Sequence, residues 1–440
     1  MASDTAAQTD AQKPGRLDVV RNRSLLTLML GHGTVDMYSG VIPLLYPLLT
    51  EQFDLNLKTV GLVSLCYSGM ASLTQPLFGW VTDRWGTRWI GLALMWTAIM
   101  FALLGLATSF SMLLLCAALA GIGSGAYHPM GAVTAASVIP DNQRNVAMSI
   151  YVTGGTLGVA IGPLIGVAVF ALFGLHGTLA MVIPGAAIAV FLLSQMRTIA
   201  SRLKKKAEQA QAEAPPIPWK PMSVVIALMM LRSWVLFGIS SFIPIWYDEM
   251  GYSRLFYAAL STTILLSSAA GAIGVGSIAD RHGRRKLLVM TSVATVPLIL
   301  LFAQFPGVPA FFTAAMIGLL AASTGPLLLV MAQQLMSGRP GIASGLILGL
   351  GFIMGAVGVP IMGAVADEWG IQNAMRLWAL IAGLSIFVSM LLPTDADVRL
   401  LSERKPARRE ASVQGTGSGG VLRPESRVQS PGSRVRGPGS

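Results

Sequence analysis

Two ionisable side chains lie four residues apart in the stretch GHGTVDMYSG, residues 31–40, inside an otherwise apolar run. Because four residues are about one helical turn, His32 and Asp36 would share one face of a helix. The run 25–49 is long enough to cross a bilayer, where a charged residue costs roughly 2.5–3.5 kcal/mol at the helix centre. A carboxyl and an imidazole together can exchange protons near physiological pH. We interpret Asp36 as a proton carrier with His32 as its partner, a structural hydrogen-bond network being the alternative.

A second histidine and an arginine also lie within apolar runs. His128 precedes Pro129, whose missing N–H disrupts helix hydrogen bonding and can open a local binding surface. We interpret His128 as a further proton-coupling residue, and Arg232 as a group that attracts a negative part of a substrate. Other side chains could line the same cavity, although aromatic residues at span ends more often belong to the interfacial belt. These further substrate-binding candidates are Tyr38, Tyr46, Tyr67, Gln75, Tyr127, Tyr151, Trp246 and Gln333.

The composition indicates an integral membrane protein. Hydrophobic residues make up 53% of the 440 residues and charged residues only 12%, too few to cover a soluble surface. The net charge of +11 lies mainly in short connectors and the C-terminal tail, which argues against a nucleic-acid partner. Cys66 and Cys116 lie within apolar spans, so we expect no disulfide framework, metal site or cofactor. No HExxH motif, cysteine cluster or nucleophile elbow is present, which disfavours an intramembrane enzyme.

Apolar runs of roughly 18–25 residues recur along the chain, the length that a tilted helix needs to cross the hydrocarbon. We predict an all-α protein with twelve transmembrane helices in two pseudo-symmetric six-helix bundles. Alternate connectors are rich in Arg and Lys, so the positive-inside bias places both termini in the cytoplasm. The predicted spans are 25–49, 59–81, 89–107, 111–138, 146–173, 178–196, 222–247, 255–279, 287–304, 309–336, 342–366 and 373–393.

An internal repeat supports the division into two halves. The stretch GWVTDRWGTR at 79–88 matches GSIADRHGRR at 276–285, at an offset of 276 − 79 = 197 residues. The same offset relates Pro47 to Pro244. Parallel six-span halves around a midplane site are a known transporter construction. The predicted segments are a cytoplasmic N-terminal segment 1–24, a first bundle 25–196, a cytoplasmic linker 197–221, a second bundle 222–393 and a disordered basic cytoplasmic tail 394–440.

The repeated GxxxDRxGxR loop predicts a gate. Its first glycine permits two helices to approach closely, and its second suits a tight turn between consecutive spans. In each copy the aspartate can form an ion-pair latch with the following arginines, closed in one conformation and released in another. For one copy alone, an ordinary positive-inside anchor is the alternative. The gating candidates are Gly79, Asp83, Arg84, Gly86, Arg88, Gly276, Asp280, Arg281, Gly283 and Arg285.

The predicted fifth span, 146–173, carries a stripe of small residues. Gly154, Gly158, Gly162 and Gly166 recur at every fourth position and therefore share one face of a helix. The stripe predicts that another helix packs against this span at backbone contact.

Twelve spans, two halves and the doubled loop resemble the major facilitator superfamily across about residues 25–393. The stretches LGHGTVDMYSGVIPLLYPLL, GIGSGAYHP and AQQLMSGRPGIASGLILGLGFIMGAVG are similar to its fosmidomycin-resistance branch. The resemblance implies inward-open and outward-open states around a central site, with proton-driven export of small compounds. A carboxylate often follows the His-Pro pair in that branch, whereas Met130 stands here.

The sequence therefore predicts a transporter of the bacterial inner membrane, not an enzyme. It would export a small organic compound, anionic or drug-like, by alternating access driven by proton entry. Uptake of an organic anion by symport or exchange on the same fold is the first alternative, and a non-transporting membrane sensor is another. The expected partners are the transported compound, protons and the lipid bilayer, and we expect a monomer.

Overall fold

A computed structural model describes residues 21–55, 57–139, 143–196, 215–321 and 324–403. In these ranges all regular secondary structure is helical, which agrees with the predicted all-α class. In the first half of the chain the helices are α1 (Arg23–Val41), α2 (Tyr46–Phe53), α3 (Leu57–Trp85), α4 (Ile90–Ala102), α5 (Phe110–Ser137), α6 (Arg144–Phe173), α7 (Gly177–Ala180) and α8 (182–196). Three 3-10 turns join them, at Ile42–Leu45, Leu103–Leu106 and Gly174–His176.

The second half of the chain begins after the linker and contains eight further helices among the described residues. These are α9 (Trp219–Glu249), α10 (Arg254–His282), α11 (Arg284–Gln304), α12 (Pro309–Leu320), α13 (Gly325–Leu335), α14 (Pro340–Trp369), α15 (Ile371–Met390) and α16 (Asp395–Glu403). Most of the linker, 197–214, lies outside the described residues.

The helices coincide with all twelve predicted spans, and the twelve-helix membrane fold is confirmed. Seven helical stretches of the described chain are long and apolar enough to cross a membrane by length and composition. One of them, Arg144–Met196, contains two of the predicted spans. Proline lies where two of the helices end or begin, because it supplies no backbone N–H for the preceding turn. Pro43 lies in the 3-10 turn that ends α1, and Pro326 lies in the first turn of α13.

Small residues bring α1 and α6 together, as the glycine stripe predicted. A Cβ at Gly162 would lie 2.6 Å from the Met37 carbonyl oxygen. Gly154 and Gly158 likewise face the backbone oxygens of Met29 and Gly33 too closely for any side chain. Such backbone contact fixes the rotation of α1, and with it the direction of every polar side chain on that helix.

The most extensive contacts between the halves are those of α3 with α14 and of α6 with α10, and α14 also contacts α5. On the first pair, Gly79 and Gly341 face each other's carbonyl oxygens with no room for a Cβ, and a Cβ at Gly349 would lie 2.7 Å from the Ser72 oxygen. On the second, Thr153 Oγ1 donates to the Ala269 carbonyl at 3.4 Å. The halves are therefore in direct contact near the end of the fold that carries the two repeated loops, here called the loop end.

The prediction of a disordered tail from residue 394 onward is wrong for its first residues, because Asp395–Glu403 form helix α16. The Thr394 hydroxyl and N–H donate to Asp397 at 2.7 and 2.9 Å, which caps the helix and lowers the pKa of that carboxyl. Asp395 pairs with Arg284 Nε at 2.6 Å, and Val398 is fully buried. The remaining tail, 404–440, lies outside the described residues.

Candidate functional site

His32, Asp36 and His128 form a triad that joins α1 to α5. His32 Nε2 lies 3.3 Å from Asp36 Oδ2, across one turn of α1. His128 Nε2 lies 3.1 Å from the other carboxylate oxygen, Oδ1. Both histidines are buried, and Asp36 is mostly buried. The predicted His32–Asp36 pair is therefore present, and the carboxylate has a second imidazole partner.

The second nitrogen of each imidazole is anchored to the backbone. His32 Nδ1 lies 2.8 Å from the Tyr151 carbonyl oxygen, and His128 Nδ1 lies 2.7 Å from the Ser124 carbonyl oxygen. A carbonyl oxygen only accepts, so each Nδ1 must carry a proton and donate. In a neutral imidazole the other nitrogen, Nε2, then carries a lone pair and no proton, so it can only accept a hydrogen bond.

This arrangement of donors creates a demand for protons. Each Nε2 lies within 3.3 Å of an oxygen of Asp36, and a lone pair this close to a carboxylate oxygen is repelled unless one of the two groups carries a proton. Either an imidazolium or a protonated carboxyl can supply that proton. Two such contacts, one to His32 and one to His128, take up two protons beyond an ionised Asp36 with neutral histidines. A change in the protonation of any of the three residues would therefore change these contacts.

Close packing fixes the triad. The Tyr151 ring stacks on the His32 ring at 4.3 Å between centroids and 16° between planes, and its hydroxyl donates to the His128 carbonyl at 3.4 Å. Gly155 lies one turn after Tyr151 on α6, and its missing side chain leaves room for the triad. A Cβ at this position would collide with the Asp36 carboxylate and lie 2.7 Å from His32 Nε2. Tyr127 donates to the Leu28 carbonyl at 3.2 Å beside the same imidazole.

The second half of the chain reaches the triad through aromatic rings. The Phe352 ring of α14 lies 6.2 Å from the His128 ring, and the Phe237 ring of α9 lies 5.6 Å from Phe352. A movement of the second half relative to the first would therefore change the surroundings of His128.

The spacing of the triad would also suit a metal ion. One ligand atom from each of its three residues lies within 4.8 Å of the others. The sequence predicted no metal site, and the demand for protons accounts for the same geometry without one.

Three of the six aromatic substrate-binding candidates lie beside the triad, and the other three lie elsewhere in the fold. Tyr127, Tyr151 and Tyr67 lie by the triad, the Tyr67 hydroxyl contacting the Val35 carbonyl at 3.5 Å. Tyr38 instead points into the packing of the first half, where its hydroxyl donates to the Met181 carbonyl at 2.9 Å. Tyr46 donates to Ser64 Oγ on α3, and Trp246 packs in the second half against Tyr247 and Phe302.

The two glutamine candidates lie near the contact between α3, α13 and α14. The side-chain oxygen of Gln75 is buried without a hydrogen-bond partner, and the Gln75 backbone contacts Gly345. Gln333 Nε2 donates to Ser344 Oγ at 2.9 Å, while its own side-chain oxygen is buried without a partner. Gln75 thus lies at the contact between the two halves, whereas the Gln333 hydrogen bond lies within the second half.

Arg232 lies near the middle of α9 and away from the triad. Its guanidinium donates to Ser292 Oγ at 2.8 Å and to the carbonyl oxygens of Leu320 and Ala321 at 3.2 and 2.9 Å. These partners belong to α11 and to the end of α12, whereas the triad is carried by α1 and α5. The structure does not bring Arg232 together with Asp36.

At the loop end, Asp83 contacts the opposite half of the chain. Its carboxylate accepts the backbone N–H groups of Gly341 at 2.6 Å and Ile342 at 2.8 Å, the first turn of α14. Gly86 makes the following turn at φ 81°. In this structure the predicted latch is thus a carboxylate on a helix N-terminus, not an ion pair with the arginines of its own loop.

The arginines of the first loop lie on tryptophan rings. Arg84 lies 5.9 Å above the Trp80 ring and 5.8 Å above the Trp85 ring. Arg88 lies 4.4 Å above the Trp89 ring. These cation–π contacts are typical of side chains at a membrane interface.

The second loop repeats the arrangement on the other helix pair. Asp280 accepts from the Asn145 side chain and the Val146 backbone at the start of α6. Gly276 leaves room for Asn145, whose oxygen would lie 3.0 Å from a Cβ there. Gly283 makes the turn at φ 87°. The arginines have other surroundings, since Arg285 donates to the Met390 carbonyl and Arg281 is exposed.

Sequence reasoning missed the groups that complete the site. Gly155 lies beside the predicted stripe but not on it, and the Ser124 carbonyl has no sequence signature. Gly341 follows Pro340, and proline at a helix start is a signal that could have revealed the N-terminus that Asp83 caps.

A helical bundle with a buried His–Asp–His triad and capped helix ends between two halves is typical of multi-pass membrane transporters. A sequence model described as the Major Facilitator Superfamily matches residues 28–358 and 254–425. The chain belongs to that superfamily, and it is therefore a membrane transporter and not an enzyme.

Individual relatives extend over most of the chain. It is 30% identical to the Fosmidomycin resistance protein of Escherichia coli K12, over 82% of this chain and 91% of that protein. It is 31% identical to the uncharacterized MFS-type transporter YfnC of Bacillus subtilis 168, over 85% and 94%. The fold is similar to the crystal structure of the human organic anion transporter MFSD10, with a TM-score of 0.68, 19% identity and coverage of 83% and 99%.

Proposed function

We propose that this transporter exports a small organic compound in exchange for protons across the bacterial inner membrane, with both termini in the cytoplasm. The observation that carries the proposal is the triad, because its two Nε2–carboxylate contacts each require a proton. Entering protons would bind at Asp36, His32 and His128. Their release would accompany the change from one open state to the other.

The contacts at the loop end supply the conformational part. Asp83 on the α14 N-terminus and Asp280 at the start of α6 hold the halves together at one end. Opening that end requires both contacts to break, while Phe352 links the second half to His128. Export is favoured by the similarity to a protein named for fosmidomycin resistance.

Proton-driven accumulation in membrane vesicles tests coupling and direction together. Radiolabelled fosmidomycin and ethidium serve as probes in inverted and right-side-out vesicles with an imposed pH gradient. We expect probe accumulation in inverted vesicles with an acidic interior, and its loss in Asp36→Asn. Asp248→Asn, the same change at an exposed position of α9, is the matched control and should transport normally. Unchanged gradient-driven accumulation in folded Asp36→Asn protein would remove Asp36 from this role.

Proton-coupled uptake of an organic anion is the second candidate. It is favoured by the partly buried Arg232 and by the fold's similarity to a protein described as an organic anion transporter. Accumulation confined to right-side-out vesicles with an acidic exterior would select it over export.

A further inference from the structure

Arg232 carries a partly buried positive charge, and among the described residues its hydrogen-bond partners are all neutral. Its two terminal nitrogens donate to one hydroxyl and two backbone carbonyls. Among the described residues, no carboxylate forms an ion pair with it. Moving a charge from water into a protein interior is unfavourable by several kcal/mol unless an opposite charge accompanies it. The surroundings of Arg232 therefore lack one negative charge.

The third nitrogen of the same guanidinium, Nε, donates to no group among the described residues. This nitrogen is buried. The neighbouring hydroxyls of Ser292 and Thr295 donate to the Leu288 and Thr291 carbonyls, and neither of them accepts from Nε. An acceptor from outside the chain would complete this site.

A cavity lies beside the arginine. Its other walls are hydroxyls from α11 and α15, Ser292, Thr295 and Ser385, and three small apolar side chains. The volume that water-sized atoms can occupy inside it is ≈10 Å³, about that of one water molecule and far below the roughly 300–1,000 Å³ of sites for drug-sized ligands. The space suits a small ion or one acidic group, not a whole drug-like compound.

We propose that this cavity binds one small monovalent anionic group at Arg232, either a free halide ion or the carboxylate of a small acid. The group would balance the partly buried charge and accept from Nε. None of the hydrogen-bond partners of Arg232 described here also contacts the triad, so the site is separate from the proton site. The inference goes beyond the proposed function, since it requires neither proton coupling nor export.

Thermal unfolding of the purified full-length protein tests the site. Sodium chloride, sodium acetate and sodium gluconate are compared at equal ionic strength, gluconate being too large for the cavity. We expect chloride or acetate to raise the unfolding midpoint saturably over gluconate in the wild type, and Arg232→Gln to lose the difference. Arg376→Gln, at an exposed arginine of α15, should retain it.

The chloride and acetate measurements distinguish a site for a free halide ion from a site for a carboxylate. A chloride effect without an acetate effect identifies a halide site, and an acetate effect identifies a carboxylate site. The same difference in Arg232→Gln, or no difference in the wild type, would overturn the proposal. If Arg232→Gln fails to fold, wild-type crystals soaked in sodium bromide and in sodium acetate decide: a bromide anomalous peak or acetate density at Arg232 Nε supports the proposal, and neither overturns it.

Discussion

Asp36 presents both of its carboxylate oxygens to imidazole nitrogens inside the membrane-spanning part of the fold. Each histidine is held from behind by a backbone carbonyl, so neither ring can turn its protonated nitrogen toward Asp36 without losing a hydrogen bond. The stacked Tyr151 ring adds a steric restraint on His32. Protons can consequently bind to or leave this site while its heavy atoms stay in place.

Gly155 is predicted to be essential to this geometry. In Gly155→Ala the added methyl would collide with Asp36 and lie 2.7 Å from His32 Nε2. Overpacking of this kind typically costs about 1–3 kcal/mol, so we expect a lower unfolding temperature and weaker proton-driven probe transport. Gly69→Ala on α3 is the control, because nothing lies within 4 Å of its Cβ position and alanine is the better helix former by up to about 1 kcal/mol. Wild-type stability and transport in Gly155→Ala would contradict the assignment.

The site could be predicted from the sequence only in part. His32 and Asp36 share one helix, so their spacing was enough to pair them. His128 joins them through the packing of α5 and α6 against α1, which depends on glycines at positions that a single sequence does not relate to one another. Tyr38 lies on the same helix as His32 and Asp36 but faces Met181, a direction that the sequence alone does not show.

At the scale of elements, two aspartates hold helix N-termini across the boundary between the halves. Asp83 and Asp280 differ by 280 − 83 = 197 residues, the offset of the internal repeat. Their partners are the first turns of α14 and α6, whose unpaired N–H groups and positive dipole ends favour a carboxylate. The motif revealed the aspartates and the turns, but the sequence did not show which helix would start opposite each one.

Asp83→Asn should weaken the closed contact at the loop end. Asparagine has one acceptor oxygen and no charge, so it loses part of an interaction typically worth 0.3–1 kcal/mol and up to ∼2 kcal/mol. Spin labels at the exposed Trp85 and Leu400 positions, in a background without Cys66 and Cys116, report the distance between the halves. We expect a shift toward longer distances in Asp83→Asn and none in Glu51→Gln, an exposed acid of α2. An unchanged distance distribution in Asp83→Asn would refute the latch.

For the whole molecule, the two helix pairs at the boundary decide how the halves can move. The α3–α14 pair is in backbone contact at Gly79 and Gly341, and the α6–α10 pair meets at Thr153 and Ala269. Twelve spans and the twofold repeat were readable from the sequence, because hydrophobic length and breaker residues are local features. The contact between the halves at the loop end could not be predicted from the sequence, because the same sequence must also allow that end to open.

A cross-link across the second pair should stop transport. Cysteines replacing Thr153 and Ala269, in a background without Cys66 and Cys116, can be joined by a short reducible reagent because Thr153 Oγ1 lies 3.4 Å from the Ala269 oxygen. We expect probe transport to fall after cross-linking and to return on reduction. Each single cysteine variant treated in the same way is the control. Full transport by the cross-linked protein would show that this contact need not open.

The central claim is that Asp36, His32 and His128 bind and release protons together. The protein has four histidines, so ¹⁵N-histidine NMR of the protein in nanodiscs can resolve each ring after His176 and His282 are assigned by substitution. From about pH 5 to 9, we predict that Nδ1 of both triad histidines stays protonated while Nε2 protonation changes with pH, and that Asp36→Asn alters this change. Nε2-protonated neutral rings, or rings whose protonation is the same throughout that range, would contradict the account.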